Sequence, residues 1–393
     1  MNLIRENKLT NKIKAICINW NKKFEKIALQ SVFKRENYAR SLKDFVHCLI
    51  SIFFFPNFSN SKIFYFFDDL SNQNFFSLLS KNDVFIIGSR KEKEFANKNG
   101  YQFIWSFPIT SCVRSKVYKN YNFFINLIFY KWQKKLENHK CIFFLKEDTQ
   151  PLGAFLSVLS KSLKFSKSIC IQHGYFPRNY NQIQDGLNSD YNFLWDRSQK
   201  KLKELKLKNI FEVGVPYKTR IFLEKKIPVV LVGTGEYLNN YELYKKSLQN
   251  FFEIKNILKK QLNISTIYRP HPAEYEDESN ITLIKNMFEK IDHLSKFKRL
   301  NNNRSIFIGC ISSLMYEAGL AGHHIVHLYI PYRHYKKWKP AFRYDIMLKS
   351  GDYNNLVPWI KKKKRTWNKK NNYALNNDYK KKFLNSLKEI SKY

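Results

Sequence analysis

Short apolar runs alternate with amphipathic stretches along most of this chain, and the runs are apolar on both faces, as buried parallel strands are. The stretches between them carry apolar residues at helical spacing, for example over 152–164. The candidate strands are 63–67, 84–87, 103–105, 141–145, 168–172, 210–213, 229–232, 264–268, 305–308 and 325–329. This alternation predicts an α/β fold with doubly wound parallel sheets and right-handed crossovers.

The length of 393 residues is more than one ordinary core organises, which favours two domains. A charged stretch that holds two prolines, 214–228, marks the boundary between them. We predict Rossmann-like domains over 1–217 and 226–350. Residues 351–393 are predicted to form helices that pack back on the first domain.

The formal net charge of +37 first suggests a nucleic-acid partner. However, lysine outnumbers arginine, whereas a dedicated binder would favour the planar fork of arginine. Lys, Asn, Phe, Ile and Tyr are abundant together, which fits drift towards A/T-rich codons. We therefore favour drift, with or without attraction to anionic lipid, over nucleic-acid binding.

Nothing in the first residues resembles a signal peptide, and the longest apolar run, 45–55, is shorter than the ~20 residues of a membrane-spanning helix. The six cysteines include no CxxC pair, which argues against a zinc ribbon and fits a reducing compartment. We expect a cytoplasmic protein. The basic runs 361–365 and 380–382 fit either peripheral contact with the inner face of the plasma membrane or a solvated basic face.

Chemically useful residues follow five of the predicted strands. Ligands of open α/β sheets bind at the carboxyl ends of strands, so we expect these residues to line a cleft between the domains. They are Glu147-Asp148, His173-Gly174, Gly233-Thr234-Gly235, Arg269-Pro270-His271-Pro272 and Ser312-Ser313.

Ser312 and Ser313 open the predicted helix 312–320. The unpaired backbone N–H groups and the positive end of the helix make such a start a binding site for phosphate, and the serine hydroxyls add hydrogen-bond donors. Glu317 lies one turn further along the same face, where a carboxylate can accept from ribose hydroxyls. The alternatives are an ordinary N-cap at Ser312 and a surface charge at Glu317.

His271 stands between two prolines, which hold the backbone extended and aim the imidazole. The ring could bind a phosphate oxygen or protonate it as it leaves, and Arg269 would add positive charge nearby. A purely structural histidine is the alternative. Gly233-Thr234-Gly235 would let the backbone approach a nucleotide closely, or would simply make a tight turn.

His173 and the carboxylates Glu147 and Asp148 would meet at one cleft wall if their strands are neighbours, giving an acid–base arrangement. The alternative is an ordinary loop ion pair. Asp68-Asp69 resembles half of a metal motif, but no DxD motif follows, and we predict no bound metal.

Three motifs carry a family resemblance: Gln172-His173-Gly174, the 269–272 turn, and Ser312-Ser313 with Glu317-Ala318-Gly319. Together they resemble GT-B glycosyltransferases of bacterial surface polysaccharide synthesis, in particular capsule Kdo transferases, bacterial sialyltransferases and related ulosonic-acid transferases. Teichoic-acid glycerophosphotransferases are similar at the same places. The resemblance spans residues 141–330.

The resemblance implies a GT-B fold, two Rossmann-like domains facing a central cleft, with the nucleotide mainly on the second. His271, Ser312 and Ser313 would hold the CMP phosphate, and an acidic residue of the first domain, Glu147 or Asp148, would act as base. The donor would be a CMP-linked ulosonic acid, the acceptor a glycan or lipid-linked glycan, with no cofactor and no metal. A CDP-polyol phosphotransferase is the alternative, and a nucleic-acid-binding protein is a third.

Overall fold

The structure is a computed structural model. It describes residues 63–106, 109, 121–148, 150–172, 186, 188–195, 207–215, 227–236, 240–275, 277–294, 296–300, 303–332, 344–366 and 378–392. The described residues divide into two compact units, each built around its own parallel sheet.

The strands, in chain order, are β1 Ile63–Phe67, β2 Val84–Gly88, β3 Gln102–Trp105, β4 Lys140–Leu145, β5 Ser166–Ile171, β6 Tyr191–Leu194, β7 Ile210–Glu212, β8 Val229–Val232, β9 Thr266–Arg269, β10 Ile306–Gly309, β11 His324–Tyr329 and β12 Ile346–Lys349. The α-helices are α1 Gln73–Phe76, α2 Arg90–Asn99, α3 Tyr121–Leu136, α4 Pro151–Ser162, α5 Tyr241–Leu262, α6 Glu278–Met287, α7 Lys296–Leu300, α8 Ser313–Ala321, α9 Leu356–Thr366 and α10 Tyr379–Ser391.

The first unit holds a seven-stranded parallel sheet in the order β3-β2-β1-β4-β5-β6-β7. The strand order reverses direction between β1 and β4, so this pair is the topological switch point. Phe67 of β1 is paired with Phe144 of β4. The residues that follow the two strands therefore emerge side by side at one edge of the sheet.

Aromatic residues form much of the first unit's core. On one face of the sheet the rings of Phe66 and Phe143 stack 4.9 Å apart, and on the other Phe67 and Phe144 stack 4.3 Å apart. Aromatic pairs of this kind add about 0.5–1.5 kcal/mol beyond the area they bury. Both faces are buried, which is why the strands read as continuous apolar runs.

The last helix, α10, completes one face of this first sheet. Phe383 lies with its ring centroid 4.8 Å from that of Phe75 and 5.8 Å from that of Phe144. At its surface, Lys382 Nζ donates to Glu212 Oε1 at 2.7 Å. By contrast, α9 belongs to the second unit, where Leu356 and Ile360 are part of the core. The helices of 351–393 thus divide between the units, a different grouping from the predicted one.

The second unit holds a five-stranded parallel sheet in the order β12-β11-β10-β8-β9. Here the switch point lies between β8 and β10. Val232 is paired with Gly309 of β10 on one side and with Arg269 of β9 on the other. The loops that follow these three strands therefore start at the same level of the sheet.

All ten predicted strands are present, with ends that differ by two residues or fewer. Two strands were not predicted. β6 carries a buried asparagine in an otherwise apolar run, and β12 is an edge strand with two exposed residues, so neither shows a continuous apolar pattern.

Within the described part of the chain, no helix is both long and apolar enough to cross a membrane. The apolar run 45–55 lies outside the described residues.

Candidate functional site

The turn after β9 fixes His271 through its own backbone and side-chain bonds. The backbone N–H of His271 donates to Glu274 Oε1 at 2.8 Å, and its carbonyl accepts from the backbone N–H of Glu274 at 2.9 Å. Nδ1 of the ring accepts from the backbone N–H of Ala273 at 3.2 Å. Because Nδ1 is used as an acceptor, a neutral His271 carries its proton on Nε2.

Glu274 anchors this turn from inside the second unit, where it is 0% exposed. The hydroxyl of Tyr268 donates to Oε2 at 2.7 Å, and the side-chain amide of Asn280 donates to the Glu274 carbonyl at 2.9 Å. Asn280 in turn accepts from the hydroxyl of Tyr244 at 2.8 Å. Burial raises the pKa of Glu274 to about 7, against the opposing effect of its donors. Glu274 was not among the predicted site residues; its signal in the sequence is a carboxylate three residues after a histidine that stands between two prolines.

The Gly233–Gly235 loop comes against the His271 turn. The backbone N–H of Gly233 donates to the Arg269 carbonyl at 2.8 Å. A Cβ at Gly233 would collide with Glu274 and would lie 2.8 Å from the Tyr268 hydroxyl. A Cβ at Gly235 would lie 3.2–3.3 Å from Cε1 and Nε2 of His271. Both glycines are therefore explained by close approach, and the imidazole lies against Gly235.

Ser312 and Ser313 occupy the start of α8, as the sequence pattern predicts. Ser312 is the N-cap, and its Oγ accepts from the backbone N–H of Met315 at 3.2 Å. In this bond the hydroxyl oxygen is the acceptor, so the hydroxyl hydrogen of Ser312 can still be donated to a ligand. Ser313 is the first helical residue, and both serines are half-buried. The start of α8 follows β10, and the Gly233–Gly235 loop follows β8. Because β10 and β8 are hydrogen-bonded neighbours, the two segments follow adjacent strands of the sheet.

Two of the predicted nucleotide-binding residues have other surroundings. The guanidinium of Arg269 donates to Asp292 Oδ2 at 3.1 Å and to the Leu294 carbonyl at 2.7 Å. Arg269 thus ties the end of β9 to the segment that follows α6, and we assign it this structural role in place of phosphate binding. Glu317 is 1% exposed on the inner side of α8, so it is neither a surface charge nor positioned at the surface for a ribose.

A pocket opens in the second unit at the carboxyl ends of β8, β10 and β11. Apolar side chains, including Leu243 and Ile330, form most of its walls. Thr234 and Glu236 contribute polar groups. Thr234 is 6% exposed, and its Oγ1 has no hydrogen-bond partner among the residues that the structure describes. Gly235, which contacts the ring of His271, also lines this pocket.

At the switch point of the first unit, Asp68 and Lys146 come together. The backbone N–H of Lys146 donates to Asp68 Oδ1 at 2.8 Å, and Lys146 Nζ pairs with Asp69 Oδ2 at 3.2 Å. Burial raises the pKa of Asp68 to about 8, and the bond from Lys146 opposes this shift. In the sequence, Asp68 resembles only half of a metal motif. Its place beside the end of β4 depends on strand order, which the sequence alone did not give.

Asp148 is a structural acceptor rather than an available base. It is 0% exposed and accepts from the backbone N–H groups of Gly186, Asn188 and Ser189, each at 2.8 Å, and from the Ser189 hydroxyl at 2.9 Å. The carboxylate therefore holds the loop before β6, and this corrects its assignment as a candidate base. Glu147, the other predicted base, is half-buried. His173 lies outside the described residues.

No group of three or more His, Cys, Asp or Glu side chains is arranged to hold a metal ion in the described ranges.

Comparison with known proteins gives structural neighbours and no sequence family. No protein-family model matches the chain, and no curated protein matches it. A structure described as UDP-N-acetylglucosamine 2-epimerase from Listeria monocytogenes is similar to this chain, with a TM-score of 0.53 and 11% sequence identity. The similarity covers 85% of this chain and 97% of that one. UDP-GlcNAc 2-epimerase from Neisseria meningitidis, bound to UDP-GlcNAc, gives 0.49 at 11% identity over 84% and 100%. The glycotransferase of kitacinnamycin gives 0.45 at 10% identity over 85% and 96%.

Likeness at this identity concerns the fold alone. The two parallel α/β units, of seven and five strands, match the Rossmann-like units of the GT-B fold. The chain therefore has the GT-B fold, as the motifs predicted.

Proposed function

We propose that this protein is a GT-B glycosyltransferase that moves a CMP-activated ulosonic acid onto a surface glycan or a lipid-linked acceptor. The main observation behind the proposal is the fixed position of His271, which is held by hydrogen bonds of its backbone and of Nδ1. Its ring lies against Gly235, and its neutral form presents an N–H at Nε2. A rigidly held imidazole at the carboxyl ends of parallel strands suits an anionic ligand better than a structural role, since Pro-flanked turns need no histidine.

The phosphate would lie between His271 and the start of α8. During transfer the bond between C2 of the ulosonic acid and the phosphate oxygen breaks, and the electron pair stays on that oxygen. The hydroxyls of Ser312 and Ser313, the N-terminal N–H groups of α8 and Nε2–H of His271 would stabilise the developing negative charge. Preorganised donors of this kind contribute the largest share of many enzymatic rate enhancements.

The acceptor hydroxyl must lose a proton as its oxygen attacks C2. We propose two candidate bases in the first unit, Glu147 and Asp68, in place of the fully engaged Asp148. Asp68 is supported by its position at the switch point and by a pKa of about 8, raised by burial, which suits proton exchange near neutral pH.

Three other activities remain as alternatives. A CDP-polyol phosphotransferase would use the same phosphate seat and turn over CDP-glycerol. A UDP-sugar enzyme would follow the neighbours whose names refer to UDP-GlcNAc. A nucleic-acid-binding protein, supported only by the net charge of +37, would lose affinity steeply with salt and would be indifferent to changes at His271.

Peripheral contact with an anionic membrane is part of the proposal. The basic run of α9 is largely exposed; only Lys363 is half-buried, where it pairs with Asp345. Exposed basic clusters gain about 1 kcal/mol per charge near an anionic leaflet. Flotation with vesicles containing phosphatidylglycerol tests this: neutralising 361, 362, 364 and 365 should release the protein, whereas binding to purely zwitterionic vesicles would contradict it.

Titration calorimetry with CMP, CDP and UDP tests the function directly. We expect CMP to bind, and His271→Ala and Ser313→Ala each to weaken binding about tenfold or more, because each removes a donor to a charged oxygen. His293→Ala and Ser350→Ala, exposed positions in the same unit, serve as controls and should leave affinity unchanged. Absence of CMP binding, or equal affinity in all four variants, would refute the proposal.

A further inference from the structure

The pocket beside the His271 turn has the composition of a site for a flat heterocycle. Leu243, Leu328 and Ile330 form apolar parts of its walls, and the loop after β8 adds the polar side chains of Thr234 and Glu236. It lies at the switch point of the second sheet, where α/β proteins bind their ligands. Gly235 lines the pocket and also lies against the ring of His271. A ligand in the pocket would therefore lie next to the proposed phosphate-binding position at His271.

The hydroxyl of Thr234 is the independent sign of a ligand. Thr234 is nine-tenths buried, it lines the pocket, and its Oγ1 lacks a hydrogen-bond partner among the described residues. A buried hydroxyl without a hydrogen-bond partner is unfavourable, so such groups in proteins usually meet a ligand or a water. A ring carbonyl or ring nitrogen that accepts from this hydroxyl would remove that cost.

Glu236 gives the pocket a negative charge. Of the described residues that line it, Glu236 is the one that carries a charge near neutral pH. Burial lowers the pKa of His327 to about 4 and raises the pKa of the Cys310 thiol to about 12, so both are neutral there. A carboxylate accepts hydrogen bonds and offers none, so it favours a heterocycle that presents an amine and disfavours one that presents a carbonyl at the same place.

We propose that this pocket binds the cytosine base of the donor nucleotide, with Glu236 accepting from the exocyclic amine and the Thr234 hydroxyl donating to a ring acceptor. Carboxylates pair with the cytosine amine elsewhere in recognition of bases. Uracil has a carbonyl at that position and would face the carboxylate with two acceptors opposed. The inference rests on the proposed function, and it adds that selection of cytidine over uridine nucleotides is made here.

The experiment measures the dissociation constants of CMP and UMP by calorimetry for the full chain and three variants. Glu236→Gln exchanges an acceptor for a group that can also donate. We expect it to weaken CMP and to strengthen UMP, so that the preference for CMP falls about tenfold or more. Thr234→Val keeps the shape and removes the hydroxyl, and should weaken CMP about fivefold. Glu289→Gln, which removes the same charge from an exposed site in the same unit, should leave the preference unchanged.

The outcomes separate this inference from the proposed function. If CMP binds in a manner that depends on His271 and Ser313, while Glu236→Gln leaves the CMP-to-UMP ratio as in the native protein, the cytosine pocket is refuted and the function stands. If neither nucleotide binds, both fail together. A thermal melt of each variant without ligand, unchanged from that of the native protein, shows that a lost preference comes from the pocket rather than from unfolding.

Discussion

The buried carboxylate of Glu274 accepts the backbone N–H of His271 at 2.8 Å. This bond joins a residue at the surface of the second unit to a network inside it, which also includes Tyr268 and Asn280. The orientation of the imidazole is therefore set by a side chain that need not touch any ligand. Glu274 is a positioning residue for His271 in the proposed site.

Glu274→Ala should weaken CMP binding about tenfold and lower the free energy of unfolding by about 3 kcal/mol, because several buried donors lose their acceptor. Glu274→Gln keeps one carbonyl acceptor and should recover most of the affinity. Calorimetry and denaturant unfolding measure the two quantities. Full affinity in the alanine variant would show that the turn holds His271 without this carboxylate.

The pKa of about 7 at Glu274 predicts a pH-dependent stability. Between the unfolded value near 4.5 and about 7 the folded state retains a proton that the unfolded chain has released. This group's contribution is therefore full at low pH and is lost as the pH rises through about 7, amounting to at most ~3 kcal/mol. Urea unfolding from pH 4.5 to 8 should show the decline in the native protein and a flatter curve in Glu274→Gln. Parallel curves would contradict the raised pKa.

Gly233→Ala should lower the stability of the protein, whereas Gly235→Ala should lower its affinity for CMP. A methyl group at Gly233 collides with Glu274 and the backbone of His271, so the melting temperature should fall, in line with about 1–3 kcal/mol for overpacking. A methyl group at Gly235 meets only the ring of His271, at 3.2–3.3 Å from Cε1 and Nε2, so the ring has to give by only a few tenths of an ångström. That variant should melt near the native temperature and bind CMP about tenfold more weakly. Thermal melts paired with calorimetry distinguish the two, and equal effects on stability would contradict the geometry.

Asp68→Asn should lower kcat/KM by about 10²–10⁴ in a transfer assay, if Asp68 takes the acceptor proton. With a folded pKa of about 8, the base is protonated below that pH, so the rate of the native enzyme should rise as the pH passes through about 8. The variant should lose this rise. Asp69→Asn, which removes the neighbouring carboxylate, is the control and should keep it. If Glu147→Gln abolishes the rise and Asp68→Asn does not, Glu147 is the base.

Asp148→Asn should destabilise the first unit by about 3 kcal/mol or more, because an amide N–H₂ would face backbone donors that now meet an oxygen. Glu137→Gln, an exposed position in the same unit, should change stability by no more than about 0.5 kcal/mol. Denaturant unfolding of both variants measures the difference. A small loss for Asp148→Asn would return this carboxylate to the list of candidate bases.

Local sequence patterns were enough to predict much of the fold. Central strands such as β2, β8 and β10 were visible because they are buried on both faces and therefore apolar, whereas β6 and β12 lack a continuous apolar pattern. The start of α8 was visible because capping is a local event, decided by Ser312 and the residues just after it.

The partners of the site residues were not visible, since they depend on contacts between distant segments. Asp68 reaches Lys146 only because β1 lies beside β4, and Asp148 is occupied by N–H groups of a loop about 40 residues further along the chain. Arg269 likewise meets Asp292 through the fold of the second unit. Sequence patterns identify residue types that suit a chemistry, and tertiary contacts decide which of them remain available for it.

The position of Phe383 in the core of the first sheet has a consequence for biosynthesis. During translation the seven strands of that sheet leave the ribosome before the second unit, while the helix that covers their aromatic face is made after the second unit. The nascent first unit therefore has this face uncovered until α10 has been made. Chaperone capture should concentrate on that interval, and ribosome stalling before α10 should leave an aggregation-prone chain.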